Sequence, residues 1–126
     1  MIIDERMTVF IDSMDTPNTE FLNQLEKYSK ETNVPIIRPS MQSFLKLLLA
    51  ITKPKKILEV GTAIGFSALL MSEYGPEDCH ITTIEKYEKR IPLAKENFAK
   101  ALKKELEKKC KTTKVVIANS SLKFNL

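Results

Sequence analysis

The chain has 126 residues, of which 43% are hydrophobic and 29% charged, with a net charge of +4 and a pI near 9.0. That suffices for one small domain with its own core, and no apolar run approaches the ~20 residues that a membrane-spanning helix needs. The amino terminus lacks a basic stretch followed by an apolar core, so no signal peptide is expected and the expected compartment is the cytoplasm.

Ile3, Met7, Phe10 and Met14 recur at helical spacing and predict a first amphipathic helix over residues 3–14. A second helix is expected from near Thr16, with Pro17 suited to the first helical position. Phe21, Leu22, Leu25 and Tyr28 line one face of it, and Thr32-Asn33 ends it. Val34-Pro35-Ile36-Ile37-Arg38-Pro39 cannot be regular helix, because each proline pushes the residue before it toward extended geometry. Ser40 reads as the N-cap of a third helix, with Phe44, Leu47, Leu48 and Ile51 as its expected buried face and Pro54 closing it off. Such apolar stripes mean packing more often than a cofactor site.

The stretch Ile57-Leu58-Glu59-Val60-Gly61-Thr62-Ala63-Ile64-Gly65-Phe66-Ser67 then reads as a short buried strand, a glycine turn and the first turn of a helix. Gly61 permits a sharp turn at the carboxyl end of the strand. Gly65 lets a ligand or the next element approach the backbone closely. The helix that starts there presents N–H groups that no preceding turn can pair. The spacing is neither that of a dinucleotide fingerprint nor that of a P-loop. Two glycines alone fit a ligand-free turn, but Glu59 lies inside an otherwise apolar strand, where a carboxylate needs a partner.

The helix is expected to run to about Tyr74, where Gly75-Pro76 stops it. Cys79 to Ile84 reads as a second strand that ends at Glu85, 24 positions after Gly61. An acid at that strand tip, about 20 residues beyond the glycine turn, is where nucleoside-binding α/β folds grip ribose hydroxyls. Glu88 to Lys109 reads as a long helix, with Ile91, Leu93, Ala94, Phe98, Leu102 and Leu106 as apolar positions, and Val115-Val116-Ile117-Ala118 as a third buried strand. His80 is the only histidine, which excludes a His-rich metal site and argues against a His-based triad. Cys79 and Cys110 have no motif spacing and read as free thiols. Lys100, Lys103, Lys104, Lys108, Lys109, Lys111 and Lys114 carry much of the positive charge. With Glu105 and Glu107 interspersed they fit a solvated helix face better than an RNA contact, since no aromatic residue interleaves with them.

The predicted fold is therefore α/β, a helical segment over residues 1–52 followed by β-α-β-α-β with parallel strands over 53–126. Read as ILEVGTAIGFS, residues 57–67 resemble motif I of class I S-adenosylmethionine-dependent methyltransferases. Within that class they most resemble the O-methyltransferases that include the catechol and caffeoyl-CoA enzymes, and more closely still the bacterial branch that methylates hydroxyuridine in tRNA. The likeness extends back through Val34–Pro39 and forward through Ile84-Glu85-Lys86 and the helix holding Ala94 and Asn97, over about residues 15–120.

The resemblance implies a Rossmann-like fold, with strand one in the middle of the complete sheet, and S-adenosyl-L-methionine as cofactor. It implies a binding set of Glu59, Gly61, Thr62, Gly65, Ser67, Glu85 and Asn119. In this set the turn at Gly61-Thr62 faces the cofactor's carboxypropyl-amine end, and Glu59 accepts from its ammonium directly or through water. Ser67 bonds its carboxylate, and Glu85 takes both ribose hydroxyls. The loop Val34–Pro39 would lie across the methionine end, and the helical segment would cover the substrate side and help form a homodimer. Asn119 stands where the family usually carries an acid near the adenine amino group. In metal-dependent members a divalent cation is held by acids further along, on strand four and beyond. The tail Leu122–Leu126 does not resemble that segment, so the resemblance implies a partial domain. That domain would hold the cofactor half of the site, with no catalytic or metal-binding residue of its own. The implied acceptor is a hydroxyl, of a small phenol or of tRNA hydroxyuridine. The alternative is a non-catalytic cofactor-binding fragment or an inactive remnant.

Overall fold

The computed structural model describes the backbone of residues 4–107 and 114–119, and the side chains of 4–103 and Ile117. Helix α1 covers Glu5–Ser13, α2 Glu20–Glu31 and α3 Pro39–Thr52. Strand β1 is Lys56–Val60, followed by α4 (Phe66–Tyr74), β2 (His80–Glu85), a 3-10 turn at Glu88–Arg90, α5 (Ile91–Glu107) and β3 (Lys114–Asn119). The strands lie in the order β1-β2-β3, all parallel, as the expected connectivity requires.

Register decides which residues enter the core. Ile57 pairs with Ile81 and Glu59 with Thr83, and Thr83 pairs in turn with Ile117. These residues share one face, because side chains alternate along a strand. Right-handed crossovers that advance in one direction place α4 and α5 on the same side of the sheet. Accordingly Ile81 and Thr83 are buried, whereas Leu58 and Val60 on the opposite face are 66% and 80% exposed. The described helices therefore cover one face. Among the described residues the outer edge of β1 has no partner strand.

Helix α4 is the middle of the packed layer. Phe66, Ala68, Leu69, Leu70 and Met71 are buried together with Ile64 before it, Leu22 and Leu25 of α2, Leu49 of α3, and Ala94 and Phe98 of α5.

Five expectations are corrected. Helix α2 starts at Glu20 rather than near Thr16, with Thr19 as N-cap. The segment before it is held extended by side-chain bonds to α3, Asp15 to Ser43 and Asn18 to Gln42. Helix α3 is capped by Arg38 with Pro39 in its first turn, so Ser40 lies inside it. Its packed line is Gln42, Leu45 and Leu49, while Phe44, Leu47, Leu48 and Ile51 face outward. The helix is apolar on two faces, and α4 meets the face that carries Gln42. Met7 and Phe10 of α1 and Met14 at its C-cap are likewise exposed, and this helix buries none of its residues. The expected helix at 88–109 opens as a separate 3-10 turn before α5. Ile3, Cys110, Lys108, Lys109, Lys111 and the tail Leu122–Leu126 lie outside the described residues, as do the side chains of Lys104, Leu106, Lys114 and Asn119.

Candidate functional site at the glycine turn

Strand β1 leaves the sheet at Gly61, whose N–H still donates to Ile84 O of β2 at 2.8 Å. The chain then passes through three residues of positive φ, Gly61 (+99°), Ala63 (+48°) and Gly65 (+86°), before α4 begins. The two glycines serve different ends. A Cβ at Gly61 would meet nothing within 4 Å, so that position needs glycine for its φ and leaves the space beside it open. A Cβ at Gly65 would lie 2.6 Å from Phe98 Cε1, so this glycine admits α5. Asn97 of α5 completes the fit, its buried Nδ2 donating to Ile64 O at 2.8 Å.

Glu85, at the tip of β2, is buried and accepts one backbone bond at each oxygen. Oε2 accepts from Ala63 N at 2.7 Å and Oε1 from Tyr87 N at 2.8 Å. It thus holds the glycine turn against the second strand. Each carboxylate oxygen keeps a further lone pair for a ligand hydroxyl.

Glu59 finds the partners that its place in an apolar strand demands. Ser67 Oγ donates to Oε1, and Thr83 Oγ1 donates to Oε2 at 2.6 Å. Thr62 Oγ1 lies 2.7 Å from Thr83 Oγ1, and both threonines are buried. Burial pushes the Glu59 carboxyl above the usual carboxylate range. The Ser67 and Thr83 donors oppose the shift, and the Glu85 charge adds to it.

A cavity of about 210 Å³ opens at the turn. Pro35, Ile36 and Ile37 form one wall, and Gly61, Thr62, Ala63, Phe66 and Ser67 form the other. The loop is held there from α3, where buried Gln42 donates to Ile37 O at 3.1 Å and accepts from Asn18 Nδ2 at 2.7 Å.

Of the seven residues singled out from sequence, Gly61, Thr62 and Ser67 line this cavity. Glu59 sits one hydrogen bond away through Ser67, and Glu85 one bond away through Ala63 N. Gly65 packs against α5 instead. Asn119 stands beside Glu85 in the β2–β3 register. Ser67 spends its hydroxyl hydrogen on Glu59, which leaves only lone pairs for a ligand. Thr83 and Gln42 escaped the sequence reading. Thr83 had a signal, since strand alternation puts it on the inward face between Ile81 and Glu85.

Arg38 is exposed, and Lys100 pairs with Glu96 at 2.7 Å. Among the described residues no three His, Cys, Asp or Glu side chains gather as a metal site. None of the described helices is long and apolar enough to cross a membrane.

A parallel sheet with a glycine turn at the carboxyl end of its first strand, and an acid at the tip of the second, is a nucleoside-binding, Rossmann-like arrangement. The family model for O-methyltransferases matches residues 12–119, and the chain belongs to that family. It is 30% identical over 131 residues to a protein-L-isoaspartate O-methyltransferase of Methanosarcina mazei, covering 98% of this chain and 50% of that protein. Among solved structures it resembles a Staphylococcus aureus protein provisionally assigned as a caffeoyl-CoA O-methyltransferase. That match has a TM-score of 0.73 and 30% identity, over 92% of this chain and 51% of that one. A Bacillus cereus O-methyltransferase in complex with SAH shares the fold at TM-score 0.68 and 22% identity, over 87% of this chain and 47% of that one. The chain thus spans about half the length of the proteins it matches.

Proposed function

We propose that this chain forms the S-adenosylmethionine-binding half of an O-methyltransferase. The observation that carries the reading is the cavity between Pro35–Ile37 and the Gly61-Thr62-Ala63 turn, with Glu85 bonded to Ala63 N of that turn. The amino-acid end of the cofactor would enter this cavity, where the open side of Gly61 admits it and the Glu59 carboxylate behind Ser67 attracts its ammonium. The ribose would lie toward Glu85, whose spare lone pairs accept from its two hydroxyls. The bound cofactor would supply a sulfonium methyl for transfer to a hydroxyl oxygen, of a small phenol or a tRNA hydroxyuridine. Such a step depends chiefly on holding donor and acceptor in line. The residues here hold the donor, and a divalent cation remains part of the family resemblance. A cytoplasmic location belongs to the same reading and fits Cys79, a free buried thiol.

Calorimetry with S-adenosylhomocysteine tests the reading. The chain should bind it, and Glu85→Ala should bind about tenfold to a hundredfold more weakly, as expected for losing a charged hydrogen-bond partner worth ~1.5–3 kcal/mol. Absence of binding by the unmodified chain, or equal affinity of the two, would contradict it.

A further inference from the structure

While Glu59 is ionised, the hydroxyls behind the glycine turn have one direction. Thr83 has one hydroxyl hydrogen, and it points to Glu59 Oε2 at 2.6 Å. The contact between Thr83 Oγ1 and Thr62 Oγ1, at 2.7 Å, must then be donated by Thr62. Ser67 donates to the other carboxylate oxygen. With Glu59 ionised, the order Thr62 to Thr83 to Glu59, met by Ser67 from α4, gives every one of these hydroxyl hydrogens an acceptor. Protonation of Glu59 would turn one oxygen into a donor, so the hydroxyl bonded there would have to reverse its direction or rotate away. Thr83 is fully buried, and Thr62 is 1% exposed and lines the cavity, so the relay joins the cavity wall to the acid beneath it.

We propose that Thr83 is a positioning residue for the cofactor site, holding Glu59 ionised and aimed, and locking the Thr62 hydroxyl inward. This rests on the cofactor reading above. Thr83 does not line the cavity and acts through Glu59 and Thr62. The charged group that acts on Glu59 among the described residues is Glu85, on the same strand as Thr83, and its charge works against ionisation. From α4 the facing group is the neutral Ser67, so the hydroxyl donors are what oppose protonation.

The test compares the unmodified chain with Thr83→Val and Thr83→Ser. The Glu59 side-chain carboxyl is titrated by carbon NMR, and affinity for S-adenosylhomocysteine is measured by calorimetry at several pH values. Removing one donor to a carboxylate should raise the Glu59 midpoint by about one unit, a tenfold change in proton affinity. Thr83→Ser, which keeps the hydroxyl, should restore it. The pH below which the ligand is lost should move up with that midpoint in Thr83→Val and return in Thr83→Ser. Should Thr83→Val fold poorly, Thr62→Val/Thr83→Val, which leaves no buried hydroxyl unpaired, is the replacement and should show the same upward shift. An unmoved Glu59 midpoint in the folded valine variant, or a serine variant that behaves like valine, would overturn the proposal. The NMR arm needs no ligand. Failure of the unmodified chain to bind S-adenosylhomocysteine would count against the cofactor reading, and the Glu59 midpoint would still decide on Thr83.

Discussion

Gly61 and Gly65 look equivalent in the sequence and are held in place by different constraints. At Gly61 the constraint is backbone alone, since φ is +99° and the space for a Cβ is free. At Gly65 a φ of +86° is joined by the ring of Phe98, which a Cβ would meet at 2.6 Å. Gly61→Ala should therefore destabilise by about 1–3 kcal/mol, the cost of a strained backbone position. Gly65→Ala should cost more, because overpacking typically adds ~1–3 kcal/mol. Adding Phe98→Leu should recover part of the Gly65→Ala loss relative to Phe98→Leu alone, and none of the Gly61→Ala loss. Chemical denaturation of the five variants reads this directly. Equal costs at the two glycines, or no coupling between Gly65 and Phe98, would show that the turn does not pack on α5 as described.

Helix α3 shows how an element can be found correctly and oriented wrongly from sequence. The stripe Phe44, Leu47, Leu48, Ile51 has ideal helical spacing, and so has Gln42, Leu45, Leu49. Pattern alone favours the more apolar stripe. The structure packs the other, because Gln42 reaches the carbonyl of Ile37 and Leu49 enters the core beside α4. Leu49→Ala should then cost ~2–5 kcal/mol, as for other buried leucines. Leu47→Ala, at a residue 55% exposed, should stay within about 0.5 kcal/mol. Thermal unfolding of the two variants separates the faces, and the reverse order would put the Leu47 stripe in the core. Among the described residues, the outward stripe, with Leu58 and Val60 on the uncovered face of the sheet, leaves an apolar surface and an unpaired β1 edge, a liability for self-association in any strand.

At the scale of the molecule, connectivity and strand order were legible because they follow from few signals. Apolar runs bounded by Gly61, Gly75 and Pro54 mark the elements, and the handedness of crossovers fixes the rest. Of the candidate site, Gly61, Glu59 and Glu85 stand out because glycine at a turn and acids in apolar strands are exceptions to their surroundings. Thr83 and Gln42 were not legible as functional. A threonine in a strand and a glutamine in a helix are ordinary, and only their partners across the fold give them a role. The start of α2 and the face of α3 were missed for the same reason, since contacts over more than 20 residues, such as Asn18 with Gln42, override local preference.

The central claim is that the turn between β1 and α4 takes the amino-acid end of S-adenosylmethionine while Glu85 takes its ribose. Backbone amide shifts recorded as S-adenosylhomocysteine is added to the labelled chain test that claim most directly. The expected result is saturable movement concentrated at Gly61, Thr62, Ala63, Ser67 and Tyr87, the last because its N–H rests on Glu85. Pro35–Ile37 should respond through Ile36 and Ile37, which share the cavity. An unchanged spectrum at millimolar ligand, or movement confined to residues away from this turn, would contradict it.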